Sequence, residues 1–311
     1  MMKSSLKYLV FLLAAGLLQV RAAWPDTTLA PRCEPLELVQ GFASKPVRYG
    51  KGILWRVSRQ GAEHSYLFGT IHVADERILD LPTEVTHALD TSRVFVMEAL
   101  PELEQAALFS NMMFFQDGNR LDQLVSGPVF TRTVAILKTY LIPEQVVVIM
   151  KPWAAYVTMN YPPQSGSVLD LELMTRASIK GTEIRGLETM AEQGEIFNKL
   201  SVETQVRLLT DTVCHYDVVK NDFEEMKKFY LNRDTGGLYN YTNRYSITDE
   251  AVYQQLMNDL LTRRNHTMAE RMQEILNKGN AFIAIGALHL PGDEGVLNLL
   301  NGSGYNISRI Y

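Results

Sequence analysis

A Gly-x-x-His tetrapeptide follows an apolar, strand-like run at two places near opposite ends of the chain. The first copy lies in residues 65–72 (SYLFGTIH) and the second in residues 281–289 (AFIAIGALH). Each apolar run predicts a buried strand, and the Gly after it allows a sharp turn or the close approach of another group. Each His then projects from a strand end. A site that uses both histidines requires a fold that brings the two ends of the chain together.

The strand context separates these two copies from a third match to the same pattern. Residues 61–64 (GAEH) also read Gly-x-x-His, but the preceding residues 57–60 (VSRQ) predict a hairpin or a loop. His64 is therefore interpreted as a surface turn residue, because short motifs of this kind also arise by chance. His72 and His289 remain the candidates, since the carboxyl ends of strands are where α/β sheets bind ligands.

The beginning of the chain has the features of a secretory signal peptide. Lys3 and Lys7 give it a positive start, residues 8–18 are apolar, and the residues before Ala23 fit a cleavage site. The apolar run is too short to span a bilayer comfortably, and no later stretch is apolar enough to do so. We expect residues 1–22 to be removed and the protein to be exported, either periplasmic or secreted. A retained N-terminal anchor is the alternative.

Composition argues against a nucleic-acid partner and leaves open whether the two cysteines are paired. The 30 Lys and Arg residues are not concentrated in any segment, and 35 Asp and Glu residues outnumber them, so nucleic-acid binding has no electrostatic support. Cys33 and Cys214 are the only cysteines and lack the spacing of metal ligands. In an oxidising compartment they could form a disulfide, and two buried free thiols are the alternative.

The order of predicted elements indicates an α/β fold, in which strands from the N- and C-terminal parts form one mixed β-sheet flanked by helices. The strand candidates are residues 53–58, 65–69, 93–97, 182–185, 281–286 and 305–310. A short helix between the second and third candidates makes a βαβ unit, which favours parallel strands.

Domain organisation follows from the same pattern. Residues 23–48 contain four prolines and are interpreted as an N-terminal lead-in. Residues 49–311 are expected to form a single α/β domain that carries a long helical insertion at about 101–180 and a helical segment over 187–278. Within that segment, residues 232–245 are rich in Gly, Asn and Tyr, and this composition predicts a loop.

Acidic residues end two further predicted strands. Glu98 follows residues 94–97 (VFVM), and Glu188 follows residues 184–187 (IRGL). Two imidazoles and one carboxylate suffice to bind a hydrolytic metal ion with an open position for water. A second carboxylate could accept the proton of that water. The two glutamates compete for these roles, and each could instead be an ordinary acid at a helix N-terminus.

Short motifs continue in a fixed order from about Leu54 to Tyr311. They are YLFGTIH (66–72), VFVME (94–98), KPW (151–153), Asp170 in VLDLE, GLETMAEQ (186–193), RRN (263–265) with Met268, and AIGALHLPGDEG (284–295). This series resembles the TraB/GumN family, which includes the TIKI metalloproteases and is distantly related to erythromycin-esterase-like proteins.

The resemblance implies a divalent-metal-dependent peptidase in which His72, His289 and Glu98 are essential. The metal would be Mn²⁺, Co²⁺ or Zn²⁺, since a mixed nitrogen and oxygen ligand set does not select among these. The resemblance also implies residues that contact the ligands or the substrate. They are Gly69, Gly286, Gln193, Arg263, Arg264 and Asp170, and Glu188 belongs to the same group if it is not the general base.

Two other functions remain open from the sequence. One is a non-catalytic protein that binds or sequesters a peptide or another small ligand, and the other is an ester or lactone hydrolase that uses the same site. In each case the expected partner is a peptide or a small molecule. The sequence does not indicate the oligomeric state.

Overall fold

A six-stranded mixed β-sheet surrounded by helices forms the framework of the protein, which confirms the predicted α/β fold class. The computed structural model describes residues 33, 36–38, 45–161, 163, 166–246 and 250–311. The expected signal peptide and most of the lead-in lie outside these residues, so both stay predictions.

The strands pair in two sheets. In chain order they are β1 (Glu37–Leu38), β2 (Leu54–Ser58), β3 (Ser65–Thr70), β4 (Val94–Ala99), β5 (Glu183–Glu188), β6 (Tyr245–Ser246), β7 (Ala281–Gly286) and β8 (Asn306–Arg309). The larger sheet has the order β5-β4-β7-β3-β2-β8, and β1 pairs with β6 in a separate antiparallel ribbon.

Four neighbouring strands of the larger sheet, β5, β4, β7 and β3, are parallel, whereas β2 and β8 add to it antiparallel. Strand β7 from the C-terminal part of the chain lies between β3 and β4. The predicted βαβ unit therefore has parallel strands, but another strand separates them. Because Thr70 pairs with Gly286 and Ala99 pairs with Glu188, the carboxyl ends of the four strands meet at one edge.

The helices connect these strands and fill the segments between them. In the described residues they are α1 (Glu76–Leu79), α2 (Thr83–Thr91), α3 (Leu103–Met112), α4 (Leu121–Leu124), α5 (Gly127–Lys138), α6 (Glu144–Ile149), α7 (Pro152–Met159), α8 (Leu169–Ile179), α9 (Met190–Asn198), α10 (Val202–Cys214), α11 (Tyr216–Leu231), α12 (Thr235–Tyr241), α13 (Glu250–Met257), α14 (Arg263–Lys278) and α15 (Val296–Gly302). A π-helical turn, Asn258–Thr262, precedes α14, and a 3₁₀ turn, Ala287–His289, follows β7. None of the described helices combines the length and apolar character needed to cross a membrane.

One local prediction was wrong. The segment expected to be a loop contains helix α12, which begins after Asp234. The Asp234 side chain accepts a hydrogen bond from the backbone N–H of Gly237 at 2.8 Å. Such a cap satisfies a backbone donor that would otherwise lack a partner, and it outweighs the poor helix propensity of the Gly-rich sequence.

Residue contacts divide the chain into two compact units. The helical unit comprises Pro101–Pro163 and Met190–Asn221 together with Cys33, and the sheet unit comprises residues 36–100, 164–189 and 222–311. In the helical unit Cys33 and Cys214 form a disulfide, with their Cα atoms 5.5 Å apart. The expectation of a single domain with an insertion at about 101–180 stays a prediction.

Apolar side chains fill both faces of the larger sheet. On one face, the buried ring of Phe282 lies between those of Phe68 and Phe95, with centroid distances of 5.7 and 6.2 Å. On the other face, helix α14 buries the apolar stripe that its sequence predicts, which consists of Met268, Met272, Ile275 and Leu276. The sheet therefore lies between two apolar layers.

Replacing Phe282 by Ala is expected to lower the free energy of unfolding by about 3–5 kcal/mol, because the three-ring contact is lost and a cavity remains. Urea unfolding followed by circular dichroism measures the change. Ile179→Ala is the control, since this side chain is 82% exposed and should change stability by no more than about 0.5 kcal/mol. Equal effects of the two substitutions would contradict the assignment of Phe282 to the core.

Candidate active site

His72 follows β3 and is held from behind by a buried carboxylate. Its Nδ1 atom lies 2.7 Å from Oδ2 of Asp170, which stands in the first turn of helix α8. The Thr70 hydroxyl donates a hydrogen bond to Oδ1 of the same carboxylate at 2.6 Å. Asp170 is almost fully buried, whereas 42% of the His72 side chain is exposed. The imidazole is thus held at Nδ1 by a buried carboxylate, although part of the side chain is exposed.

The charge of Asp170 controls the protonation of His72. This carboxylate raises the pKa of His72 to about 9 against the opposing effect of burial, and the charge of Glu98 adds to the increase. In the metal-free protein the imidazole therefore holds a proton at neutral pH. A cation that binds at Nε2 would take the place of that proton.

His289 is held from behind by a neutral carboxamide. Its Nδ1 atom lies 2.6 Å from Oδ1 of Asn265, and the amide group of Asn265 donates to the Glu294 carbonyl at 2.7 Å. Because the Asn265 amide nitrogen is used in this way, Oδ1 acts as the acceptor and Nδ1 of His289 carries the hydrogen. Burial and the nearby charge of Arg264 lower the pKa of His289 to about 3, so its Nε2 atom has a free lone pair.

Glu98 connects the two motifs at the sheet edge. Its Oε1 atom accepts a hydrogen bond from the backbone N–H of Gly286 at 2.5 Å and lies 3.7 Å from Nε2 of His289. A Cβ atom on Gly286 would stand only 3.1 Å from this oxygen. Gly286 has an ordinary extended backbone, so glycine matters here for close contact with the carboxylate and not for an unusual φ angle. The second motif glycine thus lets a carboxylate reach the backbone.

Arg264 lies between Glu98 and Glu188 in the buried part of the site. Its Nη2 atom donates to Oε2 of Glu98 at 2.6 Å and to Oε2 of Glu188 at 2.8 Å. Its Nε atom lies 3.1 Å from both oxygens of Glu188. Burial raises the pKa of the Glu98 carboxyl, but the charges of Arg264 and of the two histidines outweigh burial and hold that pKa well below its usual range.

The structure brings together most of the residues that the sequence singles out. His72, Glu98, Asp170, Glu188, Arg264, His289, Gly69 and Gly286 all belong to the sheet unit and lie at or beside the ends of its parallel strands or contact residues that do. Gly69 is also restricted by space, because an added Cβ would approach the Leu290 side chain to 2.6 Å.

The role expected for Gln193 stays a prediction, whereas Arg263 pairs with a residue outside this group. Gln193 lies on helix α9 of the helical unit. Arg263 has a side chain that is 69% exposed and pairs with Asp259 at 3.1 Å, so it does not reach the carboxylates that Arg264 contacts. His64 is exposed, as predicted for a turn residue, and its ring contacts the Tyr66 hydroxyl at 2.9 Å.

Sequence reasoning missed three residues that support the site. They are Asn265 behind His289, Thr70 behind Asp170, and Tyr230, whose hydroxyl donates to the Gly69 carbonyl at 2.8 Å. Asn265 and Thr70 lie inside the RRN and YLFGTIH motifs, so their positions offered a signal. Tyr230 is on helix α11, far from any motif, and nothing in the sequence pointed to it.

The donor chemistry of these residues fits a divalent cation. Both histidines are held at Nδ1 by a partner, and this is the usual arrangement behind metal-bound imidazoles. Asp170, Glu98 and Glu188 supply three carboxylates against the single guanidinium of Arg264. Within the described part of the chain, however, no three His, Cys, Asp or Glu side chains already form a group that could hold a metal ion.

Comparison with known proteins agrees with the motifs. A model of the TraB/PrgY/gumN family matches residues 53–309. The chain belongs to this family. It is 23% identical to metalloprotease TIKI2 of Danio rerio and to metalloprotease TIKI1 of Homo sapiens, and 21% identical to a metalloprotease TIKI homolog of Amphimedon queenslandica. The alignments include 82–83% of this chain but only 60–61% of these relatives. No solved structure matches the chain.

Replacing Asp170 by Asn should lower the pKa of His72 toward its ordinary value near 6.5, because the largest cause of the increase is removed. Below that new pKa the imidazole is still protonated, whereas between it and about 9 the variant loses a charge that the wild type keeps. Titration of the His72 ring signals by NMR in the presence of a chelator measures the shift. An unchanged pKa would contradict the pairing of His72 with Asp170.

Proposed function

We propose that this protein is an exported, divalent-metal-dependent hydrolase that cleaves peptide bonds. The observation that carries the proposal is the pair of strand-end histidines, His72 and His289. Each is held at Nδ1 by a buried partner, which is the usual arrangement behind metal-bound imidazoles. Glu98 lies beside them with one oxygen 3.7 Å from the nearer imidazole.

The charges of the site support a divalent cation. In the metal-free protein the protonated His72 and the guanidinium of Arg264 oppose the carboxylates of Asp170, Glu98 and Glu188. Loss of the His72 proton to a bound cation would leave two negative charges in a largely buried place. Buried charges require compensation by an opposite charge. A divalent cation would supply it, and His72, His289 and Glu98 are the residues that would hold it.

The two glutamates have different surroundings, and we assign them different roles on that basis. Both oxygens of Glu188 face Arg264, so this carboxylate serves as the counter-ion of the guanidinium. Only one oxygen of Glu98 contacts Arg264, while the other faces Gly286 and His289. Glu98 is therefore the carboxylate of the reacting site.

A divalent cation, when bound, polarises the substrate carbonyl and lowers the pKa of a water molecule. The residues of the chain orient the site around it. Asp170 and Asn265 fix the ring planes of the two histidines, and the buried side of the site excludes bulk water. The half-exposed His72 marks the side from which a substrate can enter.

The peptide bond is proposed as the target because the similar proteins are named metalloproteases. Since the chain spans about 60% of the length of these relatives, their activity comes to this protein as a proposal. The choice of Mn²⁺, Co²⁺ or Zn²⁺ is left to measurement, because histidine and carboxylate ligands accept all three.

His72→Ala and His289→Ala should each lower the affinity for a divalent cation on the order of 100-fold or more, because even changes behind a metal ligand cost 10–100-fold. Peptide cleavage should be lost in parallel. Calorimetric titration with Mn²⁺, Co²⁺ and Zn²⁺ and cleavage of a peptide library measure the two effects. His64→Ala is the matched control, because it removes the histidine of the third Gly-x-x-His sequence at an exposed turn.

Unchanged cation binding and unchanged activity in both variants would overturn the proposal. Assays with peptide and ester substrates in parallel separate the competing functions. Cleavage of the ester alone would identify an ester or lactone hydrolase. Stoichiometric capture of a peptide without any product, with each of the three cations, would identify a binding protein.

Export is proposed from the signal-peptide pattern together with the Cys33–Cys214 disulfide, since disulfides persist in oxidising compartments. The protein recovered from the periplasm or the medium should begin near Ala23. Mass spectrometry of the intact protein and of a non-reduced digest should find this N-terminus and a peptide pair joined through the two cysteines. Recovery from the cytosol with residues 1–22 still attached would contradict export.

A further inference from the structure

The Arg264 side chain is mostly buried and contacts more groups than an arginine in a surface ion pair. Its side chain is 14% exposed, and its guanidinium contacts Glu98, Glu188 and the Leu260 carbonyl. The Leu260 carbonyl belongs to the π-helical turn Asn258–Thr262, which directly precedes helix α14. Single π-helical turns occur often at functional sites. The local backbone and two carboxylates thus define where this guanidinium lies.

The two carboxylates bind Arg264 unequally. Glu188 receives three contacts, from Nε to both of its oxygens and from Nη2 to one of them, at 2.8–3.1 Å. Glu98 receives one contact, from Nη2 to Oε2 at 2.6 Å. The planar guanidinium can bind both carboxylates at once, because its N–H donors point in several fixed directions. We therefore call Glu188 the anchor of Arg264, because its contacts hold the guanidinium in place. Arg264 in turn restrains the carboxylate of Glu98.

We infer that Arg264 is a positioning residue that occupies Oε2 of Glu98 and so presents only Oε1 to the site, with Glu188 as its anchor. The second restraint on Glu98 is the Gly286 N–H, which holds Oε1 at 2.5 Å and at 3.7 Å from Nε2 of His289. A carboxylate restrained at both oxygens binds a cation through one of them. That Glu98 binds a cation rests on the proposed function. The position of its carboxylate, however, can be tested without any metal.

Stability alone does not account for this arrangement. Burying an arginine with two carboxylates has a large desolvation cost, and replacing such groups by apolar ones is often neutral or stabilising. The triad of Glu98, Arg264 and Glu188 is instead placed where one of its oxygens faces His289. Burial of this charged triad is explained if Arg264 and Glu188 serve to orient the carboxylate of Glu98.

The first test uses the metal-free protein and the backbone amide of Gly286. A short hydrogen bond to a carboxylate moves this amide proton downfield in the NMR spectrum. Arg264→Met should move the signal upfield, because Glu98 loses the contact at Oε2 and rotates. Arg264→Lys should give a smaller shift, since it keeps the charge but not the fork-shaped donor set. Glu188→Gln should also give a smaller shift, since it removes the charge of the anchor.

Arg263→Met is the matched control, because it changes the adjacent arginine on the same helix, whose side chain is 69% exposed and pairs with Asp259. The Gly286 signal should stay in place in this variant. Circular dichroism verifies that each protein is folded. If Arg264→Met does not fold, Arg264→Lys and Glu188→Gln carry the test.

The second test uses Co²⁺ as the probe, followed by calorimetry and by its visible absorption. Arg264→Met should weaken Co²⁺ binding about 10–100-fold, as expected for a residue behind a ligand. It should also weaken the absorption bands, because a released Glu98 can bind through both oxygens and raise the coordination number. Arg264→Lys should recover part of the affinity, and Arg263→Met should match the wild type.

The outcomes separate the two proposals. If the Gly286 signal shifts in the Arg264 variants but the wild type binds no Co²⁺, the positioning role stands and the metal-dependent function falls. If the Gly286 signal is unchanged in Arg264→Met, Arg264→Lys and Glu188→Gln, the positioning role is overturned, whatever the protein does with Co²⁺.

Discussion

The insertion of β7 between β3 and β4 is the constraint on which the site depends. This strand comes from the C-terminal part of the chain, whereas its two neighbours come from the N-terminal part. Parallel pairing on both sides of β7 sets its carboxyl end level with theirs, and the register places Gly286 opposite Thr70. The two Gly-x-x-His motifs meet for this reason, and Glu98 of β4 reaches the backbone of the second motif.

The two motifs are alike in sequence but differ in their surroundings. His72 is supported by a carboxylate and is half-exposed, whereas His289 is supported by a carboxamide and is buried. The charged partner raises the pKa of one imidazole, and burial lowers the pKa of the other. Two tetrapeptides of the same Gly-x-x-His pattern thus yield two nitrogen donors of different basicity, because each takes its character from the element packed behind it.

The fold class and the placement of the motif residues at one sheet edge could be predicted because both depend on local patterns. Apolar runs gave the strands, and a residue that follows a strand lies at a sheet edge whatever the details of packing. Helix α12 was missed because one capping contact, from Asp234 to the Gly237 N–H, decides it against the composition of the segment.

The roles of Glu98 and Glu188 could not be ranked from the sequence because both follow strands in the same way. What distinguishes them is Arg264, which lies far along the chain and reaches them through helix α14. Tyr230 was missed for a similar reason, since its contact with Gly69 spans 161 residues of sequence. Contacts of this range depend on how helices pack on the sheet, and no local pattern reports them.

The disulfide between Cys33 and Cys214 has a consequence for the covalent integrity of the chain. The 181-residue interval that it closes contains strands β2 to β5, and with them His72, Glu98, Asp170 and Glu188. A single protease cut anywhere within this interval leaves the two fragments joined through sulfur. The chain would then keep all the groups of the sheet edge in one covalent molecule, and only reduction would release them. If the protein is exported as proposed, such a closure would preserve the assembled molecule after a first cut, because proteases are common and reductants scarce outside the cell.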